Sequence, residues 1–139
     1  MAENPQRVGS YARLARELRT PVQIGVNFNG PASLGQALAA GACDYVMPDV
    51  ARIGGVTGWM QATGIAAAAD IEVSSHLMPE ISAQLLCATP GAHWLEYVDW
   101  ADAFVEEPMQ IEGGLAIPSD RVGTGLTWDE KRLKHLDTL

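Results

Sequence analysis

Positive charge is scarce in this sequence. Nine Lys and Arg stand against 17 Asp and Glu in 139 residues, a formal net charge of -8. A phosphate backbone or an anionic membrane must be met by clustered basic side chains, and the few here are scattered, which argues against both as partners. Cysteine is scarcer still: Cys43 and Cys87 lie in apolar runs with no Cys or His at metal-ligand spacing. Both are expected as buried, reduced thiols, which suits a cytoplasmic protein and argues against zinc or redox chemistry. No basic-then-apolar leader opens the chain, and the alanine-rich run near Ile65 breaks off well before the roughly 20 apolar residues that a bilayer requires. A glycine-rich phosphate loop after the first apolar run is also missing, which removes the main support for an open, doubly wound dinucleotide-binding sheet.

What remains is a packed α/β pattern. Hydrophobic residues make up 47% of the chain, enough for one domain with a real core, though a complete eight-stranded barrel takes roughly 250 residues. Residues 1–6 are polar and expected to be frayed, and residues 7–18 carry Val8, Tyr11, Leu14, Ala15 and Leu18 at helical spacing. A helix with no strand before it suggests that the chain begins mid-fold. Strands are then expected at residues 21–26, 43–50, 71–77 and 93–100, with helices between them at 32–40, 56–69 and 80–88. Pro31 suits the first turn of a helix and Gly41 its end. Beyond Trp100 the rhythm fades into a strand pair or irregular lid (104–114), a loop (117–127) and a last helix (129–136).

Three of the apolar runs deliver an ionisable group at or near a C-terminal end: Asp49, His76 and Glu96. From Val26 to Asp49 is 23 residues, from Asp49 to His76 is 27, and from His76 to Glu96 is 20. Each step holds one strand, one helix and two short loops. Four such units imply a parallel sheet with right-handed crossovers, and a (β/α) barrel places its chemistry at that end of its strands. The expected fold is therefore part of an eight-stranded TIM barrel, about four C-terminal βα units forming one domain over residues 1–139. Plainer readings exist for each residue: a lone His is often a core residue, and an Asp before a loop is often a turn residue or a helix cap. Glu96 resists the plain reading, because a buried unpaired carboxylate is costly. His93, expected on the opposite strand face from Trp94 and Glu96, and His135 on the last helix read as structural or solvated. Trp59 reads as core.

Four stretches carry a closer resemblance: PVQIGVNFNGP (21–31), GACDYVMPDVARIGGVTGW (41–59), SSHLMPEISAQLLCATPGAHWLE (74–96) and EGG (112–114). The sequence resembles the C-terminal half of the barrel domain of the mandelate racemases, in the mandelate racemase/muconate lactonizing branch of the enolase superfamily. The resemblance implies a parent enzyme that abstracts the proton α to a carboxylate and stabilises the enolate on Mg²⁺. It implies His76 as acid/base catalyst, Asp49 as the group that fixes its tautomer, and Glu96 as a neutral acid hydrogen-bonded to the substrate carboxylate, kept so by an apolar setting near Trp94. Arg52, with Gly54 and Gly55, would line the mouth and touch substrate, or else belongs to a plain surface loop.

The pattern departs from the family at Gly25-Val26-Asn27, where the resemblance implies Gly-Glu-Asn with the glutamate as a metal ligand. Valine has no ligand atom. The two earlier carboxylates, a Lys-x-Lys base and a capping domain belong to segments that would precede Met1. The isolated chain is thus expected to hold no cofactor and to be inactive. Its parent would be a racemase of α-hydroxy acids or a dehydratase of acid sugars. The competing reading is a non-catalytic half-barrel scaffold. Open sheet edges and an uncovered interior lead either reading to homodimers or higher self-association.

Overall fold

The computed structural model describes residues 5–134. Its elements in order are α1 (Pro5–Glu17), β1 (Gln23–Ile24), α2 (Pro31–Ala39), β2 (Tyr45–Val46), α3 (Val50–Ile53), α4 (Gly55–Ala68), α5 (Pro79–Cys87), β3 (Gln110–Glu112), β4 (Leu115–Ile117) and α6 (Glu130–Leu133). α1 begins at Pro5, so the frayed end expected over 1–6 is helical at its last two positions, and residues 1–4 lie outside the described residues. Of the expected last helix the described residues show α6, capped by the Asp129 carboxylate on the amides of Lys131 and Arg132. Leu136 and His135 lie outside the described residues.

The helices form where the sequence signals them. Pro31 starts α2, and Gly41, at a φ of 62°, follows its end while the Ala42 amide reaches back to Ala37 O. β1 and β2 pair in parallel with Gln23 opposite Tyr45 and Ile24 opposite Val46. The parallel pairing continues outward through Val46 opposite Val73, Asp49 opposite His76 and Val73 opposite Ala92. Backbone bonds stitch the same order: Ser74 N donates to Val46 O at 2.8 Å and His93 N to Val73 O at 2.8 Å. The strand expected at 71–77 is therefore present as isolated parallel bridges at Val73 and His76, and the one expected at 93–100 is neither strand nor bridge, its segment pairing only at Ala92 just before those bounds. The outer one loses its register after His93, and among the described residues it has no partner on its far side. Past residue 104, β3 and β4 form an antiparallel hairpin, with Gln110 opposite Ile117.

One face of this sheet is covered by helices. Ile24, Val46 and Val73 point into a core with Phe28, Leu34, Ile53 and Trp59, and α2 packs on α4 and α4 on α3 and α5. Trp59 is fully buried, as the sequence suggested, and its indole N–H donates to Thr89 Oγ1 at 2.9 Å. Gly58 makes this packing possible, because a Cβ there would stand 2.1 Å from the carbonyl oxygen of Ile53. Cys43 is buried as expected, but Cys87 is exposed at the last turn of α5. The buried residues of that helix are Pro79, Ser82, Ala83 and Leu85, and Cys87, one turn past Ala83, lies at its exposed C-terminal end. No described helix is long and apolar enough to cross a membrane.

Candidate active site

The end of β2 delivers Asp49 in extended conformation directly into α3. Its two oxygens are used differently. Oδ1 accepts from the amides of Ala51 at 2.8 Å and Arg52 at 3.3 Å, capping α3. Oδ2 stands 3.0 Å from His76 Nδ1. The helix-cap reading and the histidine-orienting reading of Asp49 thus both hold in the geometry, one oxygen each. Asp49 is 6% exposed, so its carboxylate must find partners inside the protein. A carboxylate can only accept, so His76 Nδ1 donates to it, and in the neutral ring this leaves the lone pair on Nε2.

That second nitrogen faces Glu96, with His76 Nε2 4.0 Å from Glu96 Oε2. The separation is too long for a direct hydrogen bond. Glu96 Oε2 instead accepts from the amide of Leu77 at 2.7 Å. Leu77 and Met78 both adopt positive φ, 52° and 46°, which is unusual for residues with a Cβ. The left-handed turn after His76 aims the Leu77 amide at Glu96 and starts α5 at Pro79. Such backbone concentrates at working sites, at a cost of order 1–3 kcal/mol each.

Glu96 reaches His76 through a slip in register. An unbroken parallel ladder from Val73 opposite Ala92 would have Ser75 N donate to His93 O and would set Leu95 beside His76. Ser75 N instead donates to Trp94 O at 2.9 Å, so one extra residue is inserted and Glu96 takes that place. The slip also overturns the expectation that His93 lies on the opposite face from Glu96. His93 Nδ1 sits 3.4 Å from Ser74 Oγ, on the face that His76 shares, and its ring stacks on Tyr45. The setting of Glu96 is not the apolar enclosure anticipated: its side chain is 38% exposed and Trp94 is 67% exposed.

Arg52 stands on the same rim, its guanidinium donating to Asn27 Oδ1 at 3.1 Å, next to Val26. Among the described residues no three His, Cys, Asp or Glu side chains form a group that could hold a metal ion. A cavity of about 650 Å³ opens elsewhere, between the start of α5 and the 106–126 segment, and includes none of Asp49, His76 or Glu96. The three side chains form an open rim.

A family model described as Enolase C-terminal domain-like matches residues 2–132. The chain belongs to the enolase C-terminal domain-like family. Among solved structures, the chain is similar to an enolase from alpha proteobacterium bal199 with bound Mg, 47% identical with a TM-score of 0.90 over 97% of this chain and 36% of that one. An enolase from Bradyrhizobium complexed with magnesium and mandelic acid is 38% identical with a TM-score of 0.89, over 95% of this chain and 36% of that one. Among curated proteins, the L-talarate/galactarate dehydratase of Salmonella typhimurium is 29% identical over 89% of this chain and 31% of its own length. The 3,6-anhydro-alpha-L-galactonate cycloisomerase of Streptomyces coelicolor is 28% identical over 95% of this chain and 37% of its own length. The enolase-type chain described here thus spans about a third of the length of the curated relatives it matches.

Proposed function

We propose that this chain is the proton-transferring part of a mandelate racemase-like or acid-sugar dehydratase-like enzyme, built as about four C-terminal βα units of a TIM barrel. The observation that carries the reading is His76 lying between Asp49 and Glu96, 3.0 Å from one and 4.0 Å from the other. An imidazole titrates near neutral pH, and its free Nε2 can accept the α-proton of a carboxylate substrate and later return it. Asp49 holds the tautomer and supports the imidazolium that forms. Glu96, in its acid form, would donate a hydrogen bond to the substrate carboxylate as enolate charge grows, and Arg52 would bind at the mouth. In a racemase His76 would take or give the proton on one face of the α-carbon while a base outside this chain serves the other face; in a dehydratase it would protonate the departing hydroxyl. Solved relatives bearing Mg and mandelic acid, and Mg and L-glucarate, support both substrate classes.

The residues present do not fit Mg²⁺. Val26 offers no ligand atom where the family pattern calls for glutamate, and the described residues hold no metal cage. The chain by itself, a single unit in the cytoplasm, therefore lacks the positive charge on which enolate formation depends, and is inactive. The scaffold reading draws on a different observation. Trp94 and Leu115 line one cavity beside the outer segment and are 67% and 70% exposed, which favours association into homodimers.

The test is a chimera in which the chain, with Val26→Glu, replaces the matching third of the Salmonella typhimurium dehydratase. Dehydration of galactarate that disappears with His76→Asn supports the catalytic reading. Activity indifferent to His76→Asn overturns it.

A further inference from the structure

The register slip after His93 leaves outer-strand amides without ladder partners, and the serine pair takes two of them. Ser74 Oγ accepts from Trp94 N at 3.4 Å, and Ser75 Oγ accepts from Glu96 N at 3.0 Å. Ser75 is fully buried and its own amide donates to Trp94 O, so it grips the inserted residue on both sides. On the far side of Glu96, the Leu77 amide holds the carboxylate. Ser75, His76 and Leu77 are consecutive, so the residues flanking the histidine fix the backbone and the side chain of the glutamate that faces it.

We propose that Ser75 is a positioning residue for Glu96, its hydroxyl stabilising the one-residue slip that brings Glu96 rather than Leu95 opposite His76. The proposal rests on the functional reading above, in which Glu96 and His76 act on one substrate. Without the hydroxyl, the Glu96 amide faces a buried methyl group, and the outer segment relaxes toward the unbroken register. Strict alternation then returns the Glu96 side chain to the face of Val73, away from the histidine.

The test uses the whole chain and reads the ring-nitrogen resonances of His76 by NMR. Glu96→Gln is expected to displace the Nε2 resonance in the parent chain, and most of that displacement is expected to vanish in a Ser75→Ala background. The response to Asp49→Asn should survive in the same background, since Asp49 approaches from β2. Amide exchange at Glu96 should rise roughly five- to tenfold in Ser75→Ala, as loss of one hydrogen bond implies. A full Glu96→Gln response in the Ser75→Ala chain overturns the proposal alone. Loss of both responses reduces Ser75 to a folding role and overturns it too. No response to Glu96→Gln in the parent chain overturns the proposal together with the role given to Glu96. Ser75→Cys, which keeps the volume with a weaker acceptor, supplies the same readout if the alanine variant does not fold.

Discussion

Replacing Asp49 in two ways separates its two tasks. In Asp49→Ala the amides of Ala51 and Arg52 lose their cap and His76 Nδ1 loses its acceptor. A lost cap costs about 1 kcal/mol, and a hydrogen bond to a charged, buried group about 1.5–3 kcal/mol. The loss of stability should therefore be about 2.5–4 kcal/mol. In Asp49→Asn the amide oxygen can still cap α3, while its NH₂ group turns donor toward His76. The ring answers by moving its proton to Nε2, which keeps the contact and limits the loss to less than about 1 kcal/mol. Urea unfolding followed by tryptophan fluorescence measures both, because Trp59 is fully buried. Equal losses in the two variants would refute the division of labour between the two oxygens. So would an alanine variant within about 0.5 kcal/mol of the parent, the range expected of an ordinary surface change.

Other outcomes follow from the same geometry. Gly58→Ala drives a methyl group into the Ile53 carbonyl and should cost more than about 3 kcal/mol or prevent folding, whereas Gly64→Ala meets nothing within 4 Å and should stabilise by about 0.5–1 kcal/mol. Thermal denaturation ranks the pair, and equal melting points would contradict the packing described. Cys87 is exposed and should react at once with a thiol reagent, while Cys43, buried, should react only on unfolding. Burial, aided by Asp44, pushes the Cys43 thiol up from 9.0 to about 11. The folded chain therefore keeps a proton that the unfolded chain releases, and this contribution to stability, intact below about 9, falls away as pH rises toward about 11. Light scattering at micromolar concentration should show dimers or larger species, and a stable monomer that unfolds cooperatively would count against self-association. The purified chain should not turn over mandelate with Mg²⁺; a Mg²⁺-dependent rate free of host enzyme would refute its inactivity.

The alternation of apolar runs with helical spacing made the βα order legible, as did Pro31 and Gly41 at the ends of α2. The regular strands are short because their extent depends on neighbours. Gln23–Ile24 and Tyr45–Val46 have each other, whereas Ala92 has Val73 on one side and no described partner on the other. α3 escaped notice because four residues are too few to show a period, although Asp49 before them is an ordinary cap signal. The meeting of Asp49 and His76 was implied by the family resemblance, and the parallel pairing that sets the two level agrees with it. The route by which Glu96 joins them was not. It depends on a register slip and on left-handed Leu77 and Met78, and neither residue type announces that backbone. A glycine would have marked such a turn; leucine and methionine conceal it.

The most direct measurement is the nitrogen-15 spectrum of the neutral His76 ring in the unmodified chain. A protonated Nδ1 and a bare Nε2 are the predicted result, since the Asp49 carboxylate 3.0 Å from Nδ1 leaves that tautomer alone able to satisfy both groups. A ring protonated at Nε2 would contradict it, because the nitrogen facing Glu96 would then have no lone pair with which to take a proton.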